Sequence, residues 1–438
     1  MTSSKTTNIS NTTTKKTSST SSRLMALSAA ALVLPGVAGQ VQAAAPTETV
    51  IGYRYTAYNE SSFDEDDLAR GNRGRYDINI NQFSFSTPVG AYWSVAFNLQ
   101  DETLSGASPW YITPATDENG VKNYLKPEVV ASGASPGSDT DQLIGIEDHR
   151  TDASLAASRF YNGGSFSGNL AYSIEDDYES VSFGLSTERE FDKKQTVIAT
   201  GFSYSDDRIF YEDLLRTNKR NETDRLPDNA GKTNSSFFVS LSRILSPNAI
   251  ALVGFSLASK EGHLSDPYKL FDQRPDIRDS YTLNASYRHY AKALQGAWHF
   301  DYRYYEDTWG VVSNTYLVSL YKNWEKFQFV PSMRYYAQTA ATFYDIYALE
   351  RKEGIPAEEN NGVEFFRYNY FSDDARLSEY GAISVGFKVV FKQKPVDWVF
   401  GFEYYTSDEE FISGNSDFLA NPGLIDYTRF TFGVDHRF

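Results

Sequence analysis

From Val50 to Phe438 the chain breaks into short stretches in which apolar and polar residues alternate, and the connections between them are sorted by length. The stretch 427–438 is the clearest. Phe430, Phe432, Val434 and Phe438 fall on one face of a strand, and Thr431, Gly433, Asp435 and Arg437 fall on the other. A period of two is the mark of a strand with one apolar and one polar side. The same pattern recurs at 50–58, 75–87, 92–104, 149–161, 166–176, 178–191, 196–205, 235–245, 249–260, 280–291, 295–305, 311–322, 326–338, 376–391 and 397–407. Every second connection is tight, at 88–90, 162–164, 192–194, 246–248, 292–294, 323–325 and 393–395, and those between are mostly longer and acidic. A soluble sandwich has no reason to sort its loops in this way. An all-β, transmembrane, antiparallel up-and-down β-barrel of about 16 strands does, with short periplasmic turns and long extracellular loops. Both termini are then expected in the periplasm.

Composition agrees. The mean hydropathy is −0.47, and beyond the N-terminal segment no run approaches the ~18 apolar residues of a spanning helix. Yet the chain holds 31 Tyr and 30 Phe, as a barrel does when lipid-facing aromatics alternate with lumen-facing polar residues. The net charge of −16 argues against nucleic acid, which calls for a basic stripe. Without Cys there are no disulfides or thiolate metal sites. At the N-terminus, Lys15, Lys16 and Arg23 precede an apolar core at 24–37, and Val41-Gln42-Ala43 fits a small-residue cleavage site. The division expected is a signal peptide at 1–43 and a barrel at 44–438.

Two departures from strict alternation carry expectations. Ile78 and Ile80 share one parity and Phe83 and Phe85 the other, which predicts a β-bulge near Asn81-Gln82. Pro331 lies inside a strand, where it must avoid a ladder hydrogen bond.

The ending on Phe438 after alternating aromatics resembles the signal by which bacterial outer-membrane barrels are delivered to their insertion machinery. Further motifs point to one family. They are Ser265-Asp266-Pro267-Tyr268-Lys269, Arg274-Pro275-Asp276, Asp301-Tyr302-Arg303-Tyr304-Tyr305 with Asp307, Trp309 and Gly310, and Val330-Pro331-Ser332 with Arg334-Tyr335-Tyr336, together with the early Ser105-Gly106-Ala107-Ser108-Pro109. In combination they resemble a proteobacterial family of outer-membrane proteins known only as a domain of unknown function. That resemblance implies a fold and a compartment, and no activity. The stretch 137–146 looks like an insertion relative to that pattern.

Three places hold candidate chemistry. Strand parity turns Arg288, His299, Asp301, Arg303, Arg334, Lys388 and Glu403 into the lumen. They form either a charged constriction that sorts solutes by sign or a satisfied network that braces the wall. Carboxylates follow aromatics at the loop end: Glu175, Asp176, Asp177, Asp206, Asp207, Asp373, Asp374 and Asp408. These form an anionic rim that draws cations or holds divalent ions, or one that is simply solvated. Ser-Gly-Ala-Ser-Pro occurs at 105–109 and again at 132–136, so the long loop either folds into the barrel on Trp110, Tyr111 and Ile112 or packs on its neighbours.

The expected function is a porin-like channel for small polar solutes or ions, because a barrel of this strand number normally encloses an aqueous lumen. Small lumen residues (Gly184, Ser186, Gly254, Ser256, Gly386, Gly401, Gly433) favour open space. The alternative is a non-conducting scaffold that binds a periplasmic or surface partner. A hydrolase is more remote: His263-Leu264-Ser265 has the spacing of some outer-membrane phospholipases, but zinc-ligand and nucleotide fingerprints are absent. No catalytic residue, metal or cofactor is expected. The partners expected are outer-membrane lipid and the insertion machinery, with no nucleic acid.

Overall fold

In hydrocarbon a strand's N–H and C=O groups find no water, so a spanning sheet has to close on itself. The computed structural model describes residues 46–132, 146–175, 177–210, 230–266, 269, 272–347, 370–412 and 419–438, and within them the sheet is closed. The targeting segment 1–43, the second Ser-Gly-Ala-Ser-Pro beyond Ser132, and most of 137–146 lie outside the described residues. In chain order the strands are β1 (Val50–Glu60), β2 (Leu68–Arg70), β3 (Asp77–Val89), β4 (Trp93–Gly106), β5 (Pro109–Thr116), β6 (Lys122–Ala131), β7 (Ile146–Tyr161), β8 (Gly164–Ile174), β9 (Tyr178–Phe191) and β10 (Thr196–Ile209). The second half runs β11 (Ala230–Ser246), β12 (Ala249–Gly262), β13 (Ile277–Ala291), β14 (Gly296–Asp307), β15 (Val312–Trp324), β16 (Phe327–Gln338), β17 (Tyr380–Gln393), β18 (Val396–Asp408) and β19 (Tyr427–Arg437). Sixteen of them make the barrel, each antiparallel to its neighbours in the ring. The ring closes through β1 and β19, paired from Val50↔Arg437 to Glu60↔Tyr427.

The tight connections, the start of β1 and the end of β19 share one rim, the turn rim. The other is the loop rim. There β2, β5 and β6 form a separate three-stranded sheet, and an apolar core gathers Phe63, Ala107, Ile112, Val129, Ala131, Ile346 and Tyr347 from three different loops. The long loop thus packs on its neighbours, with Ile112 buried and the arch at Leu125 exposed. Gly106 opens it with a φ of +140°, and a Cβ there would collide with the carbonyl of Arg75, so only glycine fits.

The barrel wall alternates as the sequence requires. Leu170, Leu257, Phe300 and Met333 are exposed on the outside, whereas Ser173, Ser205 and Ser384 are buried on the inside. An apolar belt of this extent has no place in water and is the lipid face of a membrane barrel.

The bulge near Asn81-Gln82 does not exist. β3 keeps unbroken register with β1 and with β4 through both residues. The parity change instead marks a change in which face is buried. Ile78 and Ile80 point inward at the loop rim, where they pack with Tyr58, Tyr76 and Leu104, and Phe83 points to lipid. Opposite Pro331 the ladder with β15 has a gap, running from Ser319↔Ser332 directly to Lys322↔Phe329, with no shift of register. β17 begins at Tyr380 and not at 376, because Asp374 caps a single turn at Ala375–Leu377, accepting from the Arg376 N–H at 3.0 Å.

Phe255 and Ser256 sit side by side near the middle of β12, one outward and one inward. Phe255→Arg is expected to lower folding stability in lipid vesicles by about 2–4 kcal/mol, and Ser256→Arg by far less. Urea titration of vesicle-inserted protein distinguishes them, and equal losses would contradict the assignment of faces.

Candidate functional site

The inner wall encloses a cavity of about 1090 Å³. From β7 to β12 its lining is small and polar, with Ser154, Ser167, Ser182, Ser203, Ser236 and Ser240 among the contributors. Hydroxyls facing each other across strands satisfy one another: Ser158 and Ser167 at 2.8 Å, Ser203 and Ser236 at 2.6 Å. The wall from β13 to β19 and β1 carries charge and aromatic rings.

The sequence-predicted lumen residues lie along that second wall and do not form a single ring. Arg288 bonds Asp301 at 2.7 Å, and Ser286 donates to the same Oδ1 at 2.6 Å. Glu403 accepts from Arg429 at 2.5 Å. His299 stacks on Tyr321 at 4.0 Å, and Lys388 lies over the same ring at 5.7 Å. Arg334 lies over Tyr405 at 5.6 Å and Arg303 over Tyr305 at 6.0 Å. One further wall pair, Arg54 with Asp435 at 2.7 Å, was missed by the sequence reading. Both residues have inward parity, which was the signal available. Phe430, Phe432 and Val434 face away from the lumen, with Phe432 against Phe400 at 5.3 Å, and the Phe438 N–H donates to Thr49 O at 2.9 Å.

The outer carboxylates divide by burial. Asp206 and Asp408 are exposed, and Asp176 is outside the described residues. Glu175, Asp177, Asp207, Asp373 and Asp374 are buried. Glu175 shares Arg150 with Asp152, which bonds that guanidinium at 2.9 Å while Glu175 stands at 3.5 Å. Burial, and then the nearby Asp148, push the Glu175 carboxyl up to about 9 against the pull of Arg150. Asp207 accepts from Ser180 at 2.7 Å and faces Lys232 at 3.9 Å.

Asp373 and Asp374 sit at the centre of a roof over the loop end of the cavity. Asp373 accepts from the Ile112 N–H at 2.8 Å and from Lys269 at 2.9 Å. Asp374 holds Arg274 at 2.7 Å and also Arg376, which reaches Asp266 at 3.0 Å. Burial pushes the Asp374 carboxyl up, but Arg376 and Arg274 outweigh it and hold it well below the usual carboxylate range. Asp272, the other partner of Arg274 at 2.5 Å, is pushed up by its burial. Beside them Trp309 packs with Val311, Ala341 and Leu377. Asp307 accepts from Arg278 at 2.6 Å and from the Trp309 N–H at 2.9 Å. Asp266, Arg274, Asp307 and Trp309, drawn from three separate family-like motifs, therefore converge on one structure. Ser265 accepts from the Arg274 N–H at 2.9 Å, which assigns its Oγ to the same roof.

A family model described as protein of unknown function DUF3570 matches residues 24–421. No curated protein matches the sequence. Among solved structures the chain is similar to a bacterial polysaccharide outer membrane secretin, at 8% identity and a TM-score of 0.45, covering 89% of this chain and 98% of that one. A BenF-like porin from Pseudomonas fluorescens aligns at 7% identity and a TM-score of 0.42, with the same coverage of 89% and 98%. OpdK of Pseudomonas aeruginosa, solved with vanillate, aligns at 10% identity and a TM-score of 0.37, again covering 89% and 98%.

Asp374→Ala removes the carboxylate shared by Arg274 and Arg376. Because Arg274 keeps Asp272, the expected loss in roof stability is about 3 kcal/mol, the low end for breaking a buried pair. Hydrogen exchange at 371–378 measures it, and unchanged protection would show that the roof does not depend on this group. A second expectation concerns pH. The Glu409 carboxyl, which accepts from the Asn421 N–H at 3.1 Å, is pushed up to about 7 by burial, with Asp408 and Glu379 adding to the shift. Its folded value exceeds its unfolded one, so the folded state binds the extra proton, and stability falls as pH rises from the ordinary glutamate range through about 7. Exchange at Asn421, corrected for intrinsic rates, should quicken over that window in the wild type and stay flat in Glu409→Gln.

Proposed function

The chain belongs to the DUF3570 family of proteins of unknown function, and from that premise we propose that it is a porin-like outer-membrane channel for small polar solutes or ions. The observation that carries the reading is the wall itself. It is a closed ring of sixteen strands around a cavity lined by serine, glycine and asparagine, with an apolar belt outside. A plugged barrel has bulky side chains across its interior, whereas here Gly184, Gly254 and Ser256 line the cavity. In this reading residues 1–43 are removed on export, the turn rim and both termini face the periplasm, and the acidic loops face outward. The protein is a conduit and not a catalyst. Solute passes between the serine wall and the wall carrying Arg288, Asp301, Arg303, Arg334 and Lys388, and the roof narrows its entry.

The roof also favours a second reading. Loops bound together by a buried core and by the Asp374 ion pairs suit a non-conducting scaffold that presents a fixed outer face to a partner.

Single-channel recording of the refolded chain from residue 44, in planar bilayers at several salt concentrations, separates the two. The channel reading expects steady steps that grow with salt, and Arg303→Ala is expected to move the permeability ratio toward cations. Silence from protein that shows heat-modifiable gel migration would favour the scaffold.

A further inference from the structure

The protein carries a net charge of −16, yet its cavity has the opposite bias. Eight cationic side chains line it against three carboxylates. Several of the eight are neutralised by acids beside or behind the wall: Arg54 by Asp435, Arg150 by Asp152, Arg274 and Arg376 by Asp374. Three more cations lie beneath the roof on the adjacent strands β11, β12 and β13, and of these only Lys260 has no acid of its own among the described residues. Lys232 faces Asp207, its register partner on β10, in a loose ion pair at 3.9 Å. Arg278 is bound to Asp307 at 2.6 Å, with its guanidinium 4.3 Å above the Trp309 ring. Lys260 lies directly opposite Arg278 in the β12–β13 register, and on its other side opposite Asn234. No ion pair or hydrogen bond neutralises the Lys260 ammonium among the described residues.

Like charges directly opposite on neighbouring strands destabilise a sheet. Either residue could be any polar side chain if the wall needed only to be wet. Asp307 and Asp207 answer Arg278 and Lys232, which leaves the Lys260 ammonium between two cations and beside an indole, on the cavity lining, arranged for something negative that comes from outside the chain. Water alone does not call for such a cluster. A carboxylate or phosphate does, because its oxygens accept charge-assisted bonds from ammonium and guanidinium groups together, and the partly enclosed wall strengthens the attraction.

We propose that Lys232, Lys260 and Arg278, beneath the roof and beside Trp309, form a binding site for a small carboxylate- or phosphate-bearing anion, loaded on its way through the lumen. This deepens the channel reading and rests on it for the route by which the anion arrives. The acidic outer loops then do not select the cargo, and selection falls to the cavity.

The test is titration calorimetry of the full barrel from residue 44, folded in detergent, with succinate and with inorganic phosphate as separate probes. Saturable binding is expected for at least one of them, and their ratio assigns the preferred headgroup. Lys260→Met should weaken binding about tenfold, the worth of one charged hydrogen bond. Its urea midpoint should hold or rise, since a like-charge neighbour is gone, and that outcome separates a binding role from a structural one. Lys194→Met, at the turn rim, is the control and should bind as the wild type does. If folded wild-type protein takes up neither probe, or Lys260→Met binds both as tightly, the site does not exist. Conductance without binding would remove the site and leave the channel. Binding without conductance would keep the site and remove the channel.

Discussion

Closure of the sheet is the constraint on which the rest of this protein depends. A strand facing lipid has no water for its N–H and C=O groups, so the pairing of β1 with β19 along eleven residues is the condition for every other strand to stay in the membrane. Once the ring is closed, one face of each strand is committed to lipid and the other to the lumen. Side-chain chemistry then follows parity. Phe300 and Asp301 are neighbours in the chain and live in different solvents.

That division explains why most of the ion pairs on the wall are short cross-strand pairs. Arg288 with Asp301 and Arg429 with Glu403 are each held on adjacent strands, where register brings two side chains together at little entropic cost. They brace the wall. Lys260 breaks that habit, since register sets it against Arg278 on one side and Asn234 on the other. Arg303, Arg334 and Lys388 at least lie over aromatic rings, whereas Lys260 is set against another cation, and that placement has functional weight of its own.

The loop rim follows a different logic. Away from lipid, loops can bury apolar side chains against each other, and they do so around Phe63, Ile112 and Val129 and again around Trp309 and Leu377. Asp373 and Asp374 join these parts by binding groups from two other loops, Ile112 from one and Lys269 and Arg274 from the other. The carboxylates that read as a rim in the sequence are therefore split. Asp206 and Asp408 meet solvent, while Glu175, Asp177, Asp207, Asp373 and Asp374 are interior groups.

The sequence alone determined the barrel and its strand number, because the two-residue period and the sorted connections are local properties of the chain. It also placed Arg303, Lys388 and their companions inside, since parity needs no partner. It could not say which of them meet. Whether Arg288 neutralises Asp301, or whether Lys260 faces Arg278, depends on register between strands that the hairpin pattern leaves open by a residue or two. The supposed bulge at Asn81-Gln82 shows the same limit. A change in parity can mean an extra residue in the strand or a change in what covers it, and only the folded loops above Ile78 and Ile80 decided for the second. The roof was the least legible part. Its residues come from segments a hundred positions apart, such as Arg274 and Asp374, and nothing periodic in a loop announces its neighbours.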